Sequence, residues 1–271
     1  MTKKISFHPF AFWHSILSTS KFKFAFLIFI ISTMNSCGES LSELEINFRL
    51  VNGKNIVTCQ SPVKINDKAF VLEQFQIYLS NFYVRNQIKT PITEKNITNK
   101  VQEVKLLGGV CSYSGNWKVT LTTDYSPNEI QGIQFDVGVP FELNHQDPMT
   151  QPAPLNQPDM FWVWQTGHKF MRLELRSDQT NFTYHLGSTG CQSQSAIRPP
   201  KVACKNPNRP TIVLDEYKAG DTILIDIGSL LSESKLEQDI NCKSSPSNAD
   251  CTSLLKRSGI GGAQKLFRIK D

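Results

Sequence analysis

The chain has 271 residues, yet it lacks an uninterrupted apolar run of the roughly 20 residues that a bilayer-spanning helix needs. No Cys-x-x-Cys pair occurs, which argues against a cluster of four thiolates on a metal. There is no nucleophile elbow, phosphate loop, dinucleotide fingerprint or His-Glu-x-x-His, so the sequence reads as a protein that is not an enzyme. No segment carries a convincing helical stripe of more than about ten residues. Residues 1–36 contain no acid, only Lys3, Lys4, Lys21 and Lys23. Taking those four charges from the net +5 leaves +1 on the rest, so no clustered basic face speaks for nucleic-acid binding. With 39% hydrophobic and 20% charged residues, the chain is neither polytopic, collagen-like nor a coiled coil.

What is present begins with an address. Phe24-Ala-Phe-Leu-Ile-Phe-Ile-Ile31 follows Lys21 and Lys23 and gives way to Ser32-Thr-Met-Asn-Ser-Cys37-Gly38. A basic flank, a short apolar core and small polar residues describe an export signal. A Cys directly after a small residue there resembles a bacterial lipoprotein box, with ordinary secretion and a spare thiol at Cys37 as the rival. The division is then a leader over 1–36, a linker over 37–43 behind a lipidated Cys37, and one β domain over 44–271. The expected location is a membrane-anchored, exported lipoprotein, periplasmic or on the outer membrane or cell surface.

Cysteine arithmetic agrees with export. Seven cysteines are present, and setting Cys37 aside leaves six, enough for three bridges in an oxidising compartment. The spacings suggest Cys59–Cys111, Cys191–Cys204 and Cys242–Cys251. The first closes a long loop, worth about 4 kcal/mol on the chain-entropy account.

Period-two alternation recurs in Glu45–Leu50, Phe75–Leu79, Trp117–Leu121, Ile133–Val137, Met171–Leu175 and Thr222–Asp226. Each such run puts one side-chain set toward a core. Asn52-Gly53 is a two-residue hairpin signal. Helices are expected over Gly228–Glu237 and as one turn at Thr252–Lys256. The fold class is all-β: a β-sandwich or jelly-roll-like single domain with long Pro-rich loops and three disulfides.

Chemistry-bearing side chains concentrate between His145 and His185. His145, His168 and His185 are the three histidines beyond the leader, and Trp162 and Trp164 lie among them. Imidazole suits copper and zinc, and thioethers suit Cu(I). If this stretch is a strand, Trp162 and Trp164 share a face, either as a core pair or as oxidisable indoles near a site. Met149 and Met160 are read as packing residues rather than soft ligands. Asp147 and Asp159 are candidates for orienting a ligand His. Trp117 is assigned to the core.

Several ordered segments resemble the MbnP family, also known as metallo-mystery pair proteins with a four-Cys motif. They are Val139-Pro-Phe-Glu-Leu-Asn-His145-Gln-Asp-Pro148, Pro154-Leu-Asn156, Met160-Phe-Trp-Val-Trp-Gln165 and His185-Leu-Gly-Ser-Thr-Gly-Cys191. Ala203-Cys-Lys-Asn-Pro-Asn-Arg-Pro210 and Gly261-Gly-Ala-Gln-Lys-Leu-Phe-Arg268 fit as well, and the resemblance covers about residues 44–269. It implies an exported β-rich protein that binds one copper ion and partners a di-haem cytochrome c peroxidase-like, MbnH-like protein. That partner is understood to oxidise a Trp of its mate to kynurenine. His145 and His185 are the matching histidines. His168 stands where an aromatic such as Tyr is expected and is a candidate third ligand. Trp164 is favoured slightly over Trp162 as the oxidised residue.

The rival class is a metal-free structural or adhesive β-sandwich surface lipoprotein. Replacing Cys37 with Ser is expected to release the protein from the membrane fraction. Retention there would exclude lipidation at this residue.

Overall fold

The computed structural model describes residues 41–59, 61–85, 104–111, 115–236 and 238–270. The leader, Cys37 and Glu237 lie outside the described residues. Along the chain run β1 (Ser42–Asn52), β2 (Asn55–Ile56), β3 (Val63–Ile65), β4 (Lys68–Val84), β5 (Lys105–Val110), β6 (Lys118–Thr123) and β7 (Gln131–Val137). They are followed by helix α1 (Phe141–Asn144), β8 (Lys169–Arg176), β9 (Asn181–Gly187), β10 (Thr211–Lys218) and β11 (Thr222–Asp226). Helix α2 (Ile227–Leu231), β12 (Ile240–Cys242), helix α3 (Ala249–Arg257) and β13 (Phe267–Ile269) complete the series. No helix among the described residues is long and apolar enough to cross a membrane.

The strands form two sheets. One has the order β13-β11-β1-β2, with β6 also paired to β1. The other has the order β10-β7-β4-β8-β9-β12, with β3 and β5 also on β4. Alternation explains the first sheet: β1 buries Leu44, Ile46, Phe48 and Leu50 and exposes the residues at 45 and 49. In β4 the alternation gives way to the nearly continuous buried run Ile77, Tyr78, Leu79 and Ser80, as befits a strand flanked by β5, β7 and β8. Aromatic rings join the sheets. Phe48 of β1 meets Phe135 of β7 edge-on at 6.1 Å, and Phe135 meets Phe267 of β13 at 5.2 Å. The result is an all-β sandwich with one hydrophobic core and three disulfides, as the sequence indicates. The bridges are Cys59–Cys111, Cys191–Cys204 and Cys242–Cys251, the pairing that the spacings suggest.

Three local expectations change. The hairpin after β1 closes around Gly53-Lys54, because Asn52 itself pairs with Asn55. Gly53 takes φ +62°, and its N–H donates to Asp226 Oδ1 at 3.1 Å, the same oxygen that caps α2 through Ser229 N at 3.0 Å. Helix α2 stops at Leu231, where its buried stripe of Ile227, Leu230 and Leu231 ends. Helix α3 is longer than one turn, because Asn248 caps it and Cys251, Leu254 and Leu255 are all buried.

Peptide mapping without reductant is expected to recover these three pairs. Joint replacement of Cys59 and Cys111 by Ala, which opens a closure of 52 residues, should lower unfolding free energy by about 2–4 kcal/mol in denaturant titration. A change under about 0.5 kcal/mol would show that this bridge does not constrain the unfolded chain.

Candidate metal centre

The segment between β7 and β8 carries most of the candidate residues and is not a strand. Pro140 opens α1, His145 ends it, and a single-turn 3₁₀ helix covers Pro158–Met160. An isolated bridge then joins Phe161 to His168. Between them the chain doubles back: Trp162 N donates to Gly167 O at 3.0 Å, and Gly167 N donates to Val163 O at 2.7 Å. The expectation that Trp162 and Trp164 share a strand face is therefore corrected, since the turn sends the two residues to different surroundings. Trp162 lies against β9. Its indole sits 6.4 Å from the His185 ring, and a Cβ on Gly187 would come within 2.6 Å of its Cζ3. Trp164 presents its carbonyl to His145 and lines a surface depression of about 500 Å³ shared with Phe141, Glu142 and Asp147.

His185 belongs to the sheet itself. Opposite it in β8 is Arg172, and Glu174 lies two residue pairs further along, on the same face. His185 Nε2 is 2.7 Å from Glu174 Oε1, which also accepts from Arg172 Nε at 2.6 Å, while Arg172 Nη2 donates to Oε2 at 3.0 Å. The hydrogen bond from His185, reinforced by Arg172, holds the Glu174 carboxyl down to about 2. Burial pushes the His185 imidazole below its ordinary value, against the pull of Glu174. The pair is thus an ionised carboxylate accepting from the Nε2–H of a neutral imidazole. That tautomer leaves a lone pair on Nδ1, which is buried and has no hydrogen-bond partner. A His whose far nitrogen is held by a carboxylate is the arrangement that orients imidazole for a metal.

The other two histidines differ. His145 is 5% exposed; its Nδ1 lies 3.1 Å from Trp164 O, and its Nε2 lies 3.2 Å from the Asn144 amide and 3.7 Å from Cys204 Sγ. His168 is wholly buried, with Nδ1 2.9 Å from Asn144 O and Nε2 3.1 Å from Leu155 O. Both its nitrogens face backbone carbonyls, which leaves it no open ligand direction. Burial lowers the pKa of each of these imidazoles as well.

Ligand atoms of the three histidines do not fall within 4.8 Å of one another; among the described residues the group that does is His145, Cys191 and Cys204. The two sulfurs of that group form a disulfide and offer no thiolate. Met160 is buried, as a packing residue should be, but Met149 is exposed and its reading as a packing residue is corrected. Asp147 accepts from Met149 N at 2.9 Å within its own turn, and Asp159 gives its backbone carbonyl to Lys169 Nζ at 2.6 Å. Trp117 stacks on Phe75 at 6.0 Å, in keeping with its assignment to the core. Sequence reasoning missed Glu174 and Arg172. Both occupy the outward positions of the alternating run Met171–Leu175, and only the β8–β9 register places them beside His185.

The shifts fix a pH dependence. Three imidazoles whose folded pKa lies below the ordinary 6.5 resist protonation, so the unfolded chain takes up protons first as pH falls. Their stabilisation is complete above about 6.5 and is lost below it. Glu174 adds a further loss between its ordinary value and about 2. The thermal midpoint of the metal-free protein is expected to fall steadily from pH 7 to pH 5 in calorimetry. A midpoint that held constant or rose would contradict neutral burial of the histidines.

No curated protein matches the chain. A solved structure, MbnP from Methylosinus trichosporium, superposes with a TM-score of 0.69 at 20% identity, covering 85% of this chain and 98% of that one; at that identity it speaks for the fold. The MbnP family profile matches residues 41–251, a span that takes in His145, His168, His185, both indoles and all three disulfides. With that match over most of its length, and a sandwich of the same architecture, the chain belongs to the MbnP family.

Proposed function

We propose that this protein is an exported copper-binding lipoprotein, anchored through Cys37, whose Trp162 is oxidised to kynurenine by a di-haem cytochrome c peroxidase-like partner of the MbnH kind. It acts as the partner's substrate and as a copper carrier, not as an enzyme. The observation that carries the reading is the buried, unpartnered Nδ1 of His185, backed by Glu174 and faced by the indole of Trp162.

Family membership and this arrangement support the same centre. His185 would hold copper through Nδ1, because its Nε2–H is committed to Glu174. Opening the Trp162 indole creates a ketone and an aniline nitrogen, which are donor atoms that the indole lacks. Gly187 supports the indole's position, since any side chain there would push the Trp162 ring away. The resemblance pairs His145 with His185. Here the Nε2 of His145 is engaged by Asn144 and faces Cys204, so His185 is the primary ligand. Copper itself supplies a soft, redox-active cation when bound; the residues of this chain position it and limit its access to water.

Co-production with the di-haem partner should raise the intact mass by the small increment of a Trp-to-kynurenine conversion, localised by tandem mass spectrometry to Trp162. Trp162→Phe should lose both the increment and tight copper binding while Trp164→Phe keeps them. His185→Ala should weaken copper binding by about a hundredfold or more. Intact indoles alongside tight copper binding would end the oxidation half of the reading. Unchanged affinity in His185→Ala would end the histidine half and favour the metal-free surface protein.

A further inference from the structure

A second set of soft ligands lies away from the His185 centre. Cys191 and Cys204 are 9% and 6% exposed and joined as a disulfide, and His145 Nε2 stands 3.7 Å from Cys204 Sγ. The three ligand atoms all lie within 4.8 Å of one another. Bonds of about 2.3 Å to sulfur and about 2.0 Å to nitrogen around a single cation separate its ligand atoms by roughly 3.5–4 Å. The spacing between His145 and Cys204 already falls in that range.

The imidazole is also correctly presented. Burial keeps it neutral. Its Nδ1 can donate to Trp164 O at 3.1 Å, and the Asn144 Nδ2 amide, a donor, lies 3.2 Å from Nε2. Nε2 is therefore the nitrogen with the lone pair, held by the Asn144 amide and 3.7 Å from Cys204 Sγ.

The backbone holds the two cysteines side by side without help from the S–S bond. Thr189 N donates to Asn206 O at 2.9 Å, Asn206 N to Thr189 O at 3.0 Å, and Lys205 N to Gly190 O at 3.2 Å. These ladder bonds end one residue short of the disulfide. Opening the bridge frees two side chains to rotate while their Cα atoms stay paired. The depression lined by His145, Trp164, Glu142 and Asp147 gives access from solvent, and its two carboxylates favour a cation.

We propose that a dithiol reductant converts Cys191, Cys204 and His145 into a three-coordinate site for a thiophilic d10 cation. The dithiol delivers two electrons and two protons. The Cys191–Cys204 bond breaks, two S–H groups form, and the dithiol closes its own disulfide. Binding of the cation then releases both sulfur-bound protons, while the imidazole contributes its lone pair and displaces the Asn144 amide. The site is closed to metal while the bridge is intact and opens on reduction, independently of the Trp162 chemistry.

The test uses cadmium(II) as probe, read by its sulfur-to-metal charge-transfer absorption, on the full exported chain. The oxidised protein should show no band. After reduction by dithiothreitol and removal of the reductant under anaerobic conditions, it should bind one cadmium per chain. The double variant Cys191→Ser, Cys204→Ser, treated identically, should lose the band, and Trp162→Phe should keep it. A second measurement needs no reductant: Cys191→Ser leaves the Cys204 thiol beside His145 in a chain with its other two bridges closed. That variant should bind cadmium, and adding His145→Gln should weaken it by about tenfold or more. An equal band in the parent and in the double serine variant, with the Cys59–Cys111 and Cys242–Cys251 bridges verified intact by thiol titration, would overturn the proposal. So would the absence of a band from Cys191→Ser, whatever reduction does to the fold of the parent protein.

Discussion

The candidate centre depends on one closure, that between Asn144 and His168. Both are almost fully buried, so every polar atom they carry needs a partner. The backbone N–H of His168 donates to Asn144 Oδ1 at 2.8 Å, and the imidazole reaches Asn144 O and Leu155 O. One ring thus fastens three points of a loop that has no sheet to hold it. The rings of Tyr78 at 5.7 Å and Phe161 at 4.9 Å wall it in. From this closure hang His145, whose Nε2 lies beside the Asn144 amide, and the turn that sends Trp162 toward β9 and Trp164 toward the surface. A neutral imidazole carries one N–H, so the ring donates to one of these two carbonyls and packs against the other.

Much of the fold was legible because its causes are local. The alternation in Glu45–Leu50 or Thr222–Asp226 is a property of consecutive residues, and the two later cysteine pairs, 13 and 9 residues apart, were short enough to pair by neighbourhood. The site was legible only in its ingredients. His185 and Trp162 could be named from the sequence, but Glu174 could not. Its role arises from the register that sets β8 against β9, and register is a long-range property. The two indoles were misplaced for a related reason. Period-two spacing in Phe161–Gln165 reads as a strand until the hydrogen bonds from Trp162 to Gly167 and from Gly167 to Val163 fold it into a turn. A positive-φ glycine at 167 was the signal that could have shown this.

The histidines illustrate how surroundings divide one residue type into different instruments. His185 has a carboxylate behind it, which makes Nδ1 a better donor while burial keeps the proton off. His145 is backed by a neutral carbonyl and faces sulfur. His168 is spent on the backbone. A count of imidazoles would have grouped all three, whereas their hydrogen bonds separate a carboxylate-backed ring with an unpartnered nitrogen, a ring beside sulfur and a fastener of backbone.

The position of β1 carries a consequence for mechanical load. Its first half pairs with β6 over Ser42–Asn47, and its second half runs parallel to β11 over Asn47–Val51. A pull on the amino-terminal side of this strand acts along its axis, perpendicular to the hydrogen bonds on both flanks. The bonds would have to rupture together in shear rather than peel one at a time. A load applied on that side would therefore meet both ladders of β1 in shear rather than peel them bond by bond.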